Sequence, residues 1–197
     1  MTETHTPKPT GPSSRLAILV LVVGGLAFGG AMAYFTVVMG PQNPLAQLGQ
    51  IAPAPDKVVV DQAAPDFVAQ TPAGKTIRLS DLKGSLVALN FWATWCGPCR
   101  VEMPELDDAS KRYSSDKLVI LGVDAGEDAS AVQNYFSQLN LGFQTVLDPN
   151  GTVVDLYEIK AFPTTIWIDT KGIVRAKHLG PLTRDFIDRY VADLKSR

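Results

Sequence analysis

Hydrophobic and polar positions divide the chain into one long apolar block near the N-terminus and a longer region of short apolar runs separated by polar segments. In the longer region, residues 86–92 are apolar except for Asn90, and a run of that length with polar flanks predicts a buried strand. Similar runs predict further strands at residues 117–123, 145–147, 164–168 and 173–178.

Helical spacing lies between and after these strands. It covers residues 129–139, and a second helix is expected to follow Cys96. A closing amphipathic helix is marked by Phe186, Ile187, Tyr190, Val191 and Leu194. Two strand-like runs around a Pro/Gly turn, at residues 66–70 and 75–79, predict an N-terminal β-hairpin. Together these elements predict an α/β domain with a mixed central sheet flanked by helices.

The apolar block predicts a single transmembrane helix. Residues 16–39 contain no charged residue, and a helix needs about 20 apolar residues to cross a bilayer. Lys8 and Arg15 precede the block, whereas the segment after it is uncharged until Asp56, which favours a cytoplasmic N-terminus. We therefore expect a cytoplasmic tail at 1–15, an anchor at 16–39, a linker at 40–57 and an extracytoplasmic domain at 58–197, on the periplasmic side of the inner membrane.

A cleaved signal peptide is the alternative interpretation of the same block. Residues 31–33, Ala-Met-Ala, resemble a small-residue cleavage site. The apolar run continues through residues 34–39, which favours an uncleaved anchor. Both interpretations place the domain in the same compartment.

The net charge and the number of cysteines and histidines limit the kinds of chemistry that the chain can carry out. A net charge of -2 does not suggest a nucleic-acid partner. The only two cysteines, Cys96 and Cys99, would close almost no loop as a structural disulfide, so they are expected to be catalytic or metal-binding. Zinc needs two more ligands, and the histidines, His5 and His178, cannot complete such a site within the domain. Covalent haem needs a histidine directly after the second cysteine, where Arg100 stands. We therefore expect no metal and no cofactor beyond a redox-active disulfide.

The cysteines belong to a segment that resembles a thioredoxin active site. Residues 90–99 read NFWATWCGPC, and a Phe-Pro-Thr-Thr run follows at 162–165. Residues 64–67, 79–84 and 99–106 resemble a narrower group, the TlpA/ResA-like family of membrane-anchored thioredoxins. The resemblance covers about residues 58–197 and implies a thioredoxin-like fold with thiol:disulfide oxidoreductase activity.

Helix position assigns different roles to the two cysteines. Cys96 should lie at a helix N-terminus, where unpaired N–H groups and the helix dipole favour a thiolate, and we expect it to be the exposed attacking sulfur. Cys99 should lie one turn later as the buried resolving thiol. The resemblance further implies that Pro163 is cis and faces the cysteines, that Phe162 offers backbone groups to substrate, and that Trp95 contacts partners.

One departure from ordinary thioredoxins concerns proton handling. Where those proteins commonly have a buried aspartate and a nearby lysine, this chain has Asn90 and Ile120. Glu102 lies three residues after Cys99, on the same helical face. In the ResA-like group a glutamate at this position is thought to assist proton movement. The alternative is an exposed acid in the first turns of a helix.

Two other features near the motif have structural interpretations. Trp92 is expected to pack beneath the active site. Asp124, Glu127 and Asp128 follow a predicted strand, where a loop and a helix cap explain them better than a cation site does.

These observations favour a disulfide reductase acting on protein thiols. The resemblance implies a membrane reductase as electron donor, with apocytochrome c or other secreted proteins as clients. A thiol oxidase or isomerase would use the same residues, and the redox potential would distinguish it. A peroxiredoxin-like peroxidase is disfavoured because no proline precedes Cys96 within the strand. A redox-inert, membrane-tethered binding module is disfavoured by the intact cysteine pair together with Pro163.

Overall fold

A computed structural model of the chain describes residues 59–197, and the structural statements below concern only these residues. The predicted tail, anchor and linker at residues 1–57 lie outside them. Within residues 59–197 no helix combines the length and the hydropathy needed to cross a membrane.

The described region begins with the predicted β-hairpin. Strand β1 (Val68–Gln70) pairs antiparallel with β2 (Thr76–Arg78). The turn between them closes through a hydrogen bond from the amide of Thr71 to the carbonyl of Lys75, 2.8 Å long. Gly74 adopts a φ of +82° in this turn, a conformation that glycine takes without steric cost. The hairpin is thus confirmed, with strands slightly shorter than predicted.

Three parallel strands and two helices follow. They are β3 (Leu86–Trp92), α1 (Gly97–Arg112), β4 (Leu118–Ala125), α2 (Ala129–Leu139) and β5 (Gln144–Asp148). Strands β3, β4 and β5 are adjacent in the sheet and parallel. All seven residues of β3 are buried, as a continuous apolar run predicts, because helices or loops cover both faces of a central parallel strand.

The C-terminal part completes the sheet. It consists of α3 (Thr152–Leu156), β6 (Thr164–Ile168), β7 (Val174–Leu179) and α4 (Arg184–Lys195). Strand β6 pairs antiparallel with β3, and β7 with β6. The one-and-a-half-turn helix α3 is not predicted by the hydrophobic pattern. Its first turn is stabilised by Asp148, which accepts hydrogen bonds from the amides of Val153 and Val154.

In residues 59–197 the strands form one seven-stranded mixed sheet in the order β2-β1-β5-β4-β3-β6-β7. This confirms the predicted thioredoxin-like α/β fold. A buried cluster lies on each face of the sheet. The cluster beneath α1, α2 and α4, here the cysteine core, includes Ala88, Trp92, Cys96, Cys99, Met103, Tyr135, Trp167 and Ile187. The other, here the opposite core, includes Phe67, Leu89, Phe91, Val123, Tyr157 and Ile166.

Candidate active site

The two cysteines form a disulfide where α1 begins. Cys96 is the N-cap residue, and its sulfur accepts a hydrogen bond from the amide of Cys99 at 3.2 Å. Helix N-terminal amides and the helix dipole stabilise negative charge, so this position favours the Cys96 thiolate after reduction. In the disulfide form Cys96 is only 5% exposed and Cys99 is fully buried. Cys96 is thus more exposed than Cys99, as predicted, but in the disulfide form it is a buried residue rather than an exposed one.

A second loop borders the disulfide. The Phe162–Pro163 peptide bond is cis, as expected. Phe162 packs against the cysteine core, and its ring meets Trp95 edge to face, with centroids 5.8 Å apart. Trp95 is 67% exposed. The structure therefore brings Phe162 against Trp95, the residue directly before Cys96. Their part in binding substrate stays a prediction.

Glu102 is buried rather than exposed. Its side chain is wholly inaccessible to solvent and accepts two hydrogen bonds, from Asn90 Nδ2 at 2.8 Å and from the backbone amide of Leu182 at 2.7 Å. Burial raises the pKa of Glu102 to about 7, although these two hydrogen bonds lower it. The alternative of an ordinary surface acid is therefore wrong, and a carboxyl able to gain or lose a proton near neutral pH lies one turn after Cys99.

Asn90 links Glu102 to the sheet. Its Nδ2 donates to Thr165 Oγ1 at 2.9 Å as well as to Glu102, while its Oδ1 has no hydrogen-bond partner among residues 59–197. An amide offers a donor and an acceptor at nearly the same place. By turning its amide, Asn90 can donate a hydrogen bond to an ionised Glu102 or accept one from a protonated Glu102. An ionised aspartate at this position could only accept, and it would place a second carboxylate beside Glu102.

Trp92 lies beneath the active-site loop, as expected, and is fully buried. Its Nε1 donates to Thr145 Oγ1 at 3.3 Å. The space between them is available only because residue 122 is glycine: a Cβ there would lie 2.8 Å from both Thr145 Oγ1 and Trp92 Nε1. The glycine in β4 therefore leaves room for the indole nitrogen and its hydrogen bond to Thr145.

Sequence reasoning missed one contact of the active-site loop. Glu127, in the loop after β4, accepts hydrogen bonds from the amide of Thr94 at 2.6 Å and from Thr94 Oγ1 at 2.5 Å. The sequence feature that could have predicted this contact is an acidic residue just after β4, because β4 is parallel to β3 and the cysteines follow β3. Asp128 caps α2 through the amide of Ala131 at 2.9 Å, as predicted. The part of the chain that the structure describes contains no cluster of side chains suited to a metal ion.

Comparison with known proteins gives a consistent result. Residues 60–177 match the model of the AhpC/TSA family. The chain is 39% identical over 132 residues to the thiol-disulfide oxidoreductase ResA of Bacillus subtilis, which covers 67% of this chain and 74% of that protein. It is 32% identical over 177 residues to ResA of Bacillus thuringiensis subsp. konkukian, covering 90% and 92% of the two chains.

Solved structures show the same fold. A thiol:disulfide interchange protein of the thioredoxin family from Chlorobium tepidum superposes with a TM-score of 0.63 at 28% identity, covering 69% of this chain and 97% of the other. The exposed lipoprotein thioredoxin Etrx1 of Streptococcus pneumoniae gives a TM-score of 0.59 at 32% identity, covering 66% and 99%.

Proposed function

Because the chain belongs to the AhpC/TSA family and is a thiol-disulfide oxidoreductase of the ResA type, we propose that it reduces protein disulfides outside the cytoplasm while anchored by residues 16–39. The observation that carries this proposal is the Cys96–Cys99 disulfide at the start of α1, with the buried Glu102 one turn behind it.

The reaction uses both cysteines in turn. The Cys96 thiolate attacks a client disulfide, so that a Cys96–client bond forms and the other client sulfur leaves as a thiolate that takes up a proton. Deprotonated Cys99 then attacks the Cys96 sulfur and expels the second client thiolate, which is also protonated. Two electrons pass from the protein dithiol to the client, and the protein is left with its disulfide.

Glu102 is suited to accept the Cys99 proton in the second step. A base is most useful when its pKa lies near the working pH, and burial raises the pKa of Glu102 to about 7. The carboxyl is fixed by Asn90 and Leu182, so it stays in place while its protonation changes.

The direction of the reaction rests on the Gly97-Pro98 dipeptide, which resembles that of reducing thioredoxins. The test is equilibration of the full chain with glutathione buffers and measurement of the fraction of oxidised protein. We expect a midpoint potential closer to about -270 mV, as in thioredoxin, than to about -120 mV, as in DsbA. A value near the latter would support a thiol oxidase instead.

The expected clients are apocytochrome c thiols or other secreted disulfides, with electrons supplied by a membrane reductase. Cys99→Ser should trap clients as mixed disulfides in cells, and the Cys96→Ser/Cys99→Ser double variant is the matched control that traps none. Capture of cytoplasmic proteins alone would contradict the proposed location. Consumption of hydrogen peroxide faster than reduction of a protein disulfide would support the peroxidase alternative.

A further inference from the structure

Asp124 is a buried acid that the reaction above does not use. It lies near the end of β4, directly opposite Trp92 of the neighbouring parallel strand, so both side chains point to the cysteine face of the sheet. It is fully buried, and neither carboxyl oxygen makes a hydrogen bond of normal geometry within residues 59–197, although the side chain and backbone of Glu127 lie close enough to affect its pKa. An ionised carboxylate in such a place is strongly unfavourable, so Asp124 keeps its proton at neutral pH.

The charged and titratable groups around Asp124 come from the loop after β4 and from β5, α2 and α1. The carboxyl of Glu127 in the following loop and that of Asp148 at the end of β5 both act on it. Tyr135 of α2 packs on Trp92, the residue opposite Asp124, with ring centroids 5.3 Å apart, and its hydroxyl has no partner within residues 59–197. The Arg100 guanidinium of α1 stands 5.9 Å from the Tyr135 ring centroid. Burial first, and the neighbouring Glu127 carboxyl second, raise the pKa of Asp124 to about 8.

Glu127 connects this acid to the active-site loop. Both of its carboxylate oxygens are engaged by Thr94, one by the amide and one by the hydroxyl. Thr94 lies two residues before Cys96, in a loop closed by a hydrogen bond from the Cys96 amide to the Ala93 carbonyl at 3.2 Å. A displacement of Glu127 would therefore move the loop that presents the Cys96 sulfur and the Trp95 ring.

We propose that Asp124 and Glu127 form a positioning pair for thiol-disulfide exchange: the proton on Asp124 lets the Glu127 carboxylate stay beside it, clamped on Thr94, and this holds residues 93–96 in place. Loss of that proton would put two carboxylates side by side, and their repulsion would loosen the clamp. The hydrogen bonds of Glu127 go to Thr94 and not to a cysteine, so the pair acts through the loop. The inference concerns exchange in either direction and does not depend on the proposed reductase role.

The direct test follows Thr94 in the oxidised full chain, in which neither cysteine titrates. With threonine labelled at the γ2 methyl carbon, we expect the Thr94 methyl signal to shift with an apparent pKa near 8. In Asp124→Asn the shift should vanish and the signal should stay at its low-pH position. In Glu102→Gln the shift should persist, because that acid is held by other partners. A Thr94 signal that does not change between pH 6 and pH 9, or that titrates equally in Asp124→Asn, would overturn the proposal.

The functional test measures disulfide exchange against pH. Glu127→Gln replaces one acceptor oxygen with an amide donor facing Thr94, and we expect kcat to fall about tenfold, which corresponds to about 1.4 kcal/mol. Thr94→Ser should keep the wild-type rate better than Thr94→Val, because it retains the hydroxyl donor. Asp124→Asn should remove a decline in kcat above about pH 8.

Asp107→Asn is the matched control for lost stability. Asp107 is also a buried acid of the same side, but it bonds Lys111 and the amide of Gly142, away from the loop. We expect this variant to unfold more easily and to keep the wild-type pH profile. If Asp107→Asn changes the profile as Asp124→Asn does, the effect is one of general stability and the positioning role is wrong.

Discussion

The two faces of the central sheet differ in how completely their polar groups are satisfied. In the opposite core, Tyr157 donates to the carbonyl of Pro65 at 2.7 Å, and Asp148 accepts from two amides of α3. Within residues 59–197, five residues have buried side-chain nitrogen or oxygen atoms without a hydrogen-bond partner, and all five lie on the cysteine side. They are Asn90, Arg112, Asp124, Tyr135 and Trp167. The same strands supply both faces, since their side chains alternate.

This difference suggests that the opposite core mainly stabilises the fold, whereas the cysteine face also holds the groups that take part in the chemistry. A buried polar group without a partner costs about 1–3 kcal/mol, so an ordinary core avoids it. Such groups persist on the cysteine face, where burial also raises the pKa of Glu102 to about 7 and that of Asp124 to about 8. We therefore expect substitutions on the opposite face to change the free energy of unfolding, and substitutions of Glu102 and Asp124 on the cysteine face to change rates and pH dependence.

The largest effect should come from the cysteines themselves. Cys96→Ser should abolish turnover, because the one thiol left among the described residues, Cys99, is fully buried and cannot reach a client disulfide. In the reduced protein, Cys96 should be alkylated faster than Cys99 at neutral pH, since Cys99 is fully buried and Cys96 caps the helix. Mass spectrometry after a short iodoacetamide pulse measures both. Faster alkylation of Cys99 would reverse the assigned roles.

On the opposite face, Phe91→Ala should lower the free energy of unfolding by about 3–5 kcal/mol, because it leaves a cavity in a fully buried core. Urea unfolding followed by tryptophan fluorescence measures the change, with the exposed Val101→Ala as control. The pH dependence of exchange in folded Phe91→Ala should match that of the wild type. A shifted profile would show that the two faces are not independent.

On the cysteine face, Glu102→Gln should slow disulfide exchange and remove an inflection near pH 7, while the fold is retained. Acid–base assistance is typically worth about 10²–10⁴-fold, and water can replace part of it, so we expect about tenfold to a hundredfold. The side chain keeps its shape, and Asn90 can turn its amide to meet the new one. An unchanged pH–rate profile would leave Glu102 with a packing role only.

The smallest effect expected is on stability against pH in the oxidised protein. In the folded protein Asp124 keeps its proton up to about pH 8 and Glu102 up to about pH 7. In the unfolded chain both carboxyl groups lose their protons at their much lower ordinary pKa values. Each therefore lowers the free energy of unfolding by about 1.4 kcal/mol per pH unit within its window. His178, whose pKa is lowered by burial, opposes this slope only below its ordinary value of 6.5.

Between pH 6.5 and 8 the oxidised protein should thus lose about 2 kcal/mol or somewhat more. Asp124→Asn should remove most of this loss, since Asp124 titrates across the whole interval. Urea unfolding at the two pH values checks it. A stability that rises over this interval would mean that both acids are already ionised in the folded state.

Much of the fold followed from local patterns. The bounds of β3 and the extent of α2 were predicted as observed, because a continuous apolar run and a helical period are properties of neighbouring residues. The helix after Cys96 was predicted from the segment around the cysteines, and the cis bond at Phe162–Pro163 was expected from the family resemblance. The short α3 was missed, since its five residues are too few to show a helical period.

The sequence by itself determined the cysteine pair, its place at a helix start and the acid one turn later. Only the tertiary structure decided that this acid is buried, because its partners are Asn90 and Leu182, which are 12 and 80 residues away. The same holds for Thr94 and Glu127, which are 33 residues apart, and for Asp124, whose burial needs strands and helices on several sides. Proton affinity depends on solvent and charge in three dimensions, so no periodicity along the chain could predict it.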